Sequence, residues 1–207
     1  MLMGNLRSAA VVPILCLGGL KPKKGETSMI PYRDEKIKNA ANFFAQEHRK
    51  RAGKPLYQTH LYKYLTYLEF YSIKETGMPA LGLTFRAMTH GPVPLEVYQE
   101  KEAVTGCKFV QDQFGEQVIP TSNPDLDYFS EYELKLMKQL LDRFSHYWIT
   151  ANDMSESTHK DINAWKRTRK NEIIDPALEF EGNIFEKKDE DLTFPELVYL
   201  TQQALST

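Results

Sequence analysis

Only two cysteines, Cys16 and Cys107, occur in a chain of 207 residues, and they stand far apart. That excludes a disulfide framework and any zinc site built on thiolates, and it points to the reducing cytoplasm. A charge of one sign is lacking as well. Lys and Arg number 26 against 28 Asp and Glu, a formal net charge of −2. No global field therefore draws the chain to nucleic acid or to an anionic membrane. No apolar run is long enough to span a bilayer as a helix. Catalytic signatures are also missing. The five histidines, His48, His60, His90, His146 and His159, form no His-Glu-x-x-His and no zinc-ligand spacing beside a carboxylate. There is no Gly-x-Ser-x-Gly elbow. Gly19 to Thr27 has the look of a phosphate loop, but no Gly-Lys-Ser/Thr follows it. Cys107 falls in a predicted strand and reads as a buried, inert thiol. Nothing in this inventory calls for a cofactor or a metal.

What is present suffices for one medium domain with a real core. Aromatic residues make up 12% of the chain, which suits dense packing or a contact surface. The N-terminus imitates a secretory signal, with Arg7 before an apolar run from Ala9 to Leu20. Pro13 interrupts that run, no Ala-x-Ala-like site follows, and Lys21-Pro22-Lys23-Lys24-Gly25 reads as a linker. Residues 1–28 are accordingly expected to be an extension outside the core. Residues 29–180 should form the domain, and residues 181–207 a charged loop and a C-terminal helix that packs on it.

From Met29 the pattern is helical. Asp34 is placed to cap a helix with Ile37, Ala40, Ala41 and Phe44 on one stripe. Its last turn holds His48, Arg49, Lys50 and Arg51, and Gly53 ends it. A second helix, from about Thr59 to Glu75, buries Leu61, Tyr64, Leu65 and Leu68, with Tyr57, Tyr62 and Tyr67 off that stripe. Leu83, Phe85 and Ala87 alternate with Thr84, Arg86 and Met88, the period of a short strand. His90-Gly91-Pro92-Val93-Pro94 should then form a rigid turn leading into a helix at Leu95 to Tyr98. Cys107 to Pro120 reads as a β-hairpin. Ser130-x-x-Glu133 is a capping box, a shorter helix should start near Thr150, and another should run from Asp161 to Lys170 around Trp165. Thr193-x-x-Glu196, with Pro195 in the first turn, caps the final helix. The sum is a mainly α protein with a minor β component, in which Phe44, Leu65, Leu68, Phe85, Leu141 and Trp165 share one core.

Gly91-Pro92-Val93 with Tyr98 five residues on, followed by Thr158-His159 and Trp165, resembles the Panacea domain, the family of SocA-like antitoxins also labelled phage-associated protein. The likeness spans about Asp34 to Ile174. Two features differ: the family's tryptophan before Gly-Pro-Val is absent, and its leucine-lysine-rich second helix begins here Leu61-Tyr62-Lys63-Tyr64-Leu65. The resemblance implies a compact helical domain, not an enzyme, that binds and neutralises a cognate toxin encoded beside it. One branch of the family acts as a protease adaptor, which would add an AAA+ protease as a partner. The family-motif positions are Gly91, Pro92, Val93, Tyr98, His159 and Trp165. The expected contact surface is the Gly91–Tyr98 corner, with Tyr62, Tyr67, His90 and Tyr98 as contacts. Two other readings compete. One is an enzyme with a dispersed site around His90 and His159. The other is a DNA-binding autoregulator using Lys166, Arg167, Arg169 and Lys170, which the near-neutral charge disfavours.

Overall fold

The computed structural model describes residues 30–206. The expectations for residues 1–28, including the Ala9–Leu20 run, lie outside the described residues. Within them the mainly helical reading holds: eight α-helices carry a three-stranded and a two-stranded antiparallel sheet. No helix among the described residues is long and apolar enough to cross a membrane.

Helix α1 (Arg33–Ala52) starts one residue before the expected cap. Tyr32 holds the N-cap position in a left-handed conformation, and Asp34 lies in the first turn, where its charge still favours the helix N-terminus. Gly53 ends the helix with a positive φ, its N–H donating to the Arg49 carbonyl. After a two-residue strand β1 (Leu56–Tyr57), α2 (Gln58–Thr76) runs through the middle of the molecule. Every residue from His60 to Phe70 is buried. The stripe of apolar residues was therefore only one side of a helix enclosed all round, by α1, α5 (Glu131–Phe144), α6 (Ala151–Asp161) and α8 (Phe194–Ser206). Its polar residues His60, Lys63, Thr66, Glu69 and Ser72 recur every third position and are buried too. Burial obliges such groups to find partners within the protein. Thr66 donates back to the Tyr62 carbonyl at 2.7 Å, while Lys63 and Glu69 reach other elements.

The central stretch departs from its prediction. Gly91–Pro94 is a strand, β3, paired with β2 (Phe85–Met88) through Phe85↔Pro94, Arg86↔Val93, Ala87↔Pro92 and Met88↔Gly91. Thr89 and His90 form the two-residue loop. On its other side β2 bonds the 171–174 segment, through Ala87 N to Glu172 O, Asn171 N to Ala87 O and Ile174 N to Phe85 O. Ala87 and Phe85 thus face away from β3, so their partners Pro92 and Pro94 sit where no ladder N–H is needed. Proline is tolerated there. Two short helices follow, α3 (Leu95–Gln99) and α4 (Lys101–Thr105), and then the expected hairpin, β4 (Lys108–Asp112) and β5 (Gly115–Ile119). Strand β1 adds to it through Leu56↔Val118 and Tyr57↔Gln117.

The capping boxes at Ser130/Glu133 and Thr150/Asp153 both form. The helix expected from Asp161 to Lys170 does not. Helix α6 contains Ser157, Thr158 and His159 and ends at Asp161, the buried Ile162 turns the chain in an extended conformation, and α7 covers only Asn163–Arg167. The Glu179 carboxylate accepts from the Ala164 N–H at 2.9 Å and so stands in for a cap. Phe44, Leu65, Leu68, Phe85 and Leu141 share one core, but Trp165 is only partly buried against it. A smaller cluster of Ile73, Ala177, Phe180, Ile184 and Tyr199 joins α8 to α2. There Gly77 lies so close to α8 that an added Cβ would meet the Val198 Cβ at 2.8 Å.

Candidate functional site

The second polar residue of α2's inner row, Lys63, meets the β2–β3 hairpin. Lys63 is buried, has no ion-pair partner among the described residues, and donates from Nζ to the His90 carbonyl. Gly91 lies directly over it at φ +103. A Cβ there would overlap the Lys63 ammonium and approach Thr158 Oγ1 to 2.9 Å and His159 Nε2 to 3.5 Å. Glycine is therefore required both by its backbone angle and by the close approach. From α7, the Trp165 indole stacks on His159 with centroids 4.0 Å apart and planes 3° from parallel. Its Nε1–H donates to the Met88 carbonyl at 3.3 Å. One arrangement thus ties α2, the hairpin loop, α6 and α7 together.

Its electrostatics are unusual. Burial pulls the Lys63 ammonium down to about 7. Burial first, then Lys63 and His90, hold His159 below the usual histidine range, and its Nε2 has no hydrogen-bond partner. A lysine amine near neutrality is the kind of group that covalent or general-base catalysis uses. Here, however, it lies beneath Gly91, and a substrate could reach it only by displacing the hairpin. No group of three or more His, Cys, Asp or Glu that could hold a metal occurs among the described residues. Cys107 is buried, and burial pushes its thiol up to about 11, an unreactive setting.

The residues expected to contact a partner separate into two groups. His90 is exposed at the hairpin tip and Tyr98 is 50% exposed on α3. Tyr62 and Tyr67 are buried, a correction that follows from the enclosure of α2. Tyr62 accepts from Gln58 Nε2 at 2.6 Å. Tyr67 donates to Asp161 Oδ2 at 2.9 Å and stacks on Phe144. Neither belongs to the exposed surface. Gly91 and Pro92 are buried and Val93 half-buried. In the basic cluster, Arg167 is committed to the Leu178 and Phe180 carbonyls and Lys166 to that of Lys160. Sequence reasoning passed over Lys63, although its place in a row of polar residues spaced by three was visible. It also passed over Phe114, Tyr147 and Trp148, exposed aromatics that hairpin-tip and helix-end positions could have signalled.

Trp165 supports this arrangement from the side rather than filling the core. Trp165→Ala should therefore destabilise the fold by about 1–2 kcal/mol, short of the 3–5 of a fully buried indole. Urea unfolding of the two chains measures it, and a loss in the fully buried range would mean that the indole anchors the core after all.

These observations define a helical domain whose unusual chemistry is buried at one rigid corner. The family model for the antitoxin SocA-like, Panacea domain matches residues 61–166, more than half of the chain. The protein belongs to this family. The matched segment begins on α2 just before Lys63 and ends just after Trp165, so it contains the whole constellation. No curated protein and no solved structure matches the chain.

Proposed function

We propose that this protein acts in the cytoplasm as the antitoxin of a toxin–antitoxin pair, binding its toxin stoichiometrically through the surface around the β2–β3 hairpin and α3. The observation that carries this reading is the Lys63 tether. It fixes the His90–Gly91 backbone from below and leaves the His90 side chain and Tyr98 exposed above a rigid support. Side chains held this way lose little entropy on binding, and aromatic anchors supply most of the affinity of such interfaces. A second reading, an enzyme with a dispersed site around His90 and His159, rests on the unpartnered His159 Nε2, and the stoichiometry of rescue separates the two.

The test is co-expression with the product of the neighbouring gene. Growth rescue should titrate with the amount of this protein, and His159→Ala should leave it intact if the fold survives. Tyr98→Ala should weaken the purified complex by about 2 kcal/mol or more, some thirtyfold in Kd. Rescue at strongly substoichiometric levels, abolished by His159→Ala in a folded chain, would replace binding with catalysis. A toxin half-life that shortens only when this protein and an AAA+ protease are both present would assign the adaptor mode.

A further inference from the structure

The outward face of the β2–β3 hairpin carries a row of three side chains. Val93 of β3, Arg86 of β2 and Ile173 of the 171–174 segment stand directly opposite one another across antiparallel pairings, so they share one face of a small sheet. Phe85 and Ala87, on either side of Arg86 in β2, point the other way and are buried. Arg86 and Val93 are half-buried, and Ile173 is 49% exposed. The row crosses the hairpin between its tip, at His90, and α3, which carries Tyr98.

Arg86 has no electrostatic partner in this setting. Its side chain makes no ion pair and no hydrogen bond among the described residues. The Nε is shielded within the row, while Nη1 and Nη2 stay accessible at the end of the side chain. Carboxylates on the adjoining segments are engaged elsewhere: Glu96 pairs with Arg33 and accepts from the Thr84 N–H, and Asp175 accepts from the Ala177 N–H. Arg169 and Lys170, exposed just before the third strand, also lack ion pairs, and with Arg86 they outnumber Glu172 and Asp175. A guanidinium held between two apolar side chains and left unneutralised is the kind of group that dominates protein interfaces.

An independent observation concerns the edges of this sheet. Strand β3 packs on α2 and α6, and Pro92 and Pro94 have no N–H to offer along it. The opposite edge is open. The 171–174 segment bonds β2 through Asn171 N, Glu172 O and Ile174 N, so the N–H and carbonyl of Ile173 point outward, and neither has a backbone partner. An edge of this kind accepts another strand.

We infer that an extended segment of the toxin adds to this edge at Ile173 and lays an Asp or Glu carboxylate on the Arg86 guanidinium. The occupant is acidic because Arg86 lacks a counter-charge of its own, and extended because the free groups at Ile173 are those of the backbone. This inference rests on the toxin-binding reading and names the partner's chemistry at that surface.

The test uses the full chain and the purified product of the neighbouring gene. Arg86→Met should weaken the complex about thirtyfold and flatten the salt dependence of its Kd, whereas Arg86→Lys should keep that salt dependence. Both variants should retain the wild-type urea midpoint, because Arg86 has no partner in the free chain to lose. In the wild-type complex the Ile173 amide should exchange with deuterium at least about tenfold more slowly than in the free chain. A complex weakened by Tyr98→Ala but not by Arg86→Met would overturn this inference and leave the toxin-binding reading standing. Absence of any complex would overturn both. Weakening by Arg86→Met without protection at Ile173 would remove the added strand and keep the carboxylate. Self-association of the free chain that Arg86→Met abolishes would assign the face to a second copy and overturn the inference. Salt dependence and amide exchange of the wild-type complex decide even where Arg86→Met fails to fold.

Discussion

Glu69→Ala should lower the stability of the fold by about 3–5 kcal/mol, because it strands two buried donors and removes a buried charge from a network. Glu69 sits on the enclosed face of α2, 2% exposed. Its carboxylate accepts from the Leu81 N–H at 2.7 Å and the Leu83 N–H at 3.2 Å. The carbonyl between them, Gly82 O, accepts from Arg33 Nε and Nη2 at 3.1 and 3.0 Å. Arg33 also pairs with Glu96 at 3.1 Å, and Glu96 in turn accepts from the Thr84 N–H. The network fixes the chain just before β2 and so sets where the hairpin begins. Glu69→Gln keeps one acceptor oxygen and should lose roughly half as much. Burial pushes the Glu69 carboxyl up to about 7, against the pull of the backbone amides and Arg33. An acid raised in the folded state binds protons that the unfolded chain has released. Its contribution is therefore complete below about 4.5 and is lost as pH rises through about 7. Glu179 titrates in the same window in both chains and cancels from the comparison. Urea midpoints at pH 5 and pH 8 measure both effects. A loss below about 1 kcal/mol for Glu69→Ala would mean that water replaces the carboxylate.

What the sequence disclosed follows the range of each interaction. Caps are local, and Ser130/Glu133 and Thr150/Asp153 were legible because both partners lie within one turn. Thr193 was legible for the same reason, its N–H bonding Glu196 at 2.9 Å. The hairpin was half legible. Alternation identified β2, but Pro92 and Pro94 read as punctuation, because the outward-facing register that tolerates them depends on the distant 171–174 segment. Helix α2 was found nearly to its ends, whereas its enclosure was not. A stripe of leucines predicts one buried face, and only the surrounding helices make Tyr62 and Tyr67 interior. The motif residues Gly91, His159 and Trp165 were named together through the family resemblance, without the contact that joins them. Their reason for standing together is Lys63, a residue 27 positions before the His90 carbonyl it holds. No periodicity could have supplied that pairing.

Lys63 makes the second large prediction, and its sign is opposite to that of Glu69. Burial holds its ammonium near 7 in the folded chain against 10.5 when free. Between those values the unfolded chain binds a proton that the folded chain does not, so stability rises with pH, by on the order of 4 kcal/mol over the whole window. Below about 7 the lysine is charged in both states, and the folded protein carries the full penalty of a buried cation. Lys63→Met removes this titration while keeping most of the volume. Relative to that variant, the wild-type chain should gain about 2–3 kcal/mol between pH 7 and pH 9. The Cys107 thiol, pushed to about 11, and the buried tyrosines titrate alike in both chains and cancel. Parallel stability profiles would show that Lys63 stays protonated throughout. Should Lys63→Met not fold, the 13Cε resonance of Lys63 in the wild-type chain reports the same quantity, with a midpoint near 7 expected and one near 10.5 refuting it. The functional consequence runs through one hydrogen bond. A neutral amine donates more weakly to the His90 carbonyl than an ammonium does. Tyr98 and the His90 side chain should then be held less firmly at pH 8 than at pH 6, and under the proposed toxin-binding role the affinity of the complex should fall with pH even as the fold becomes more stable.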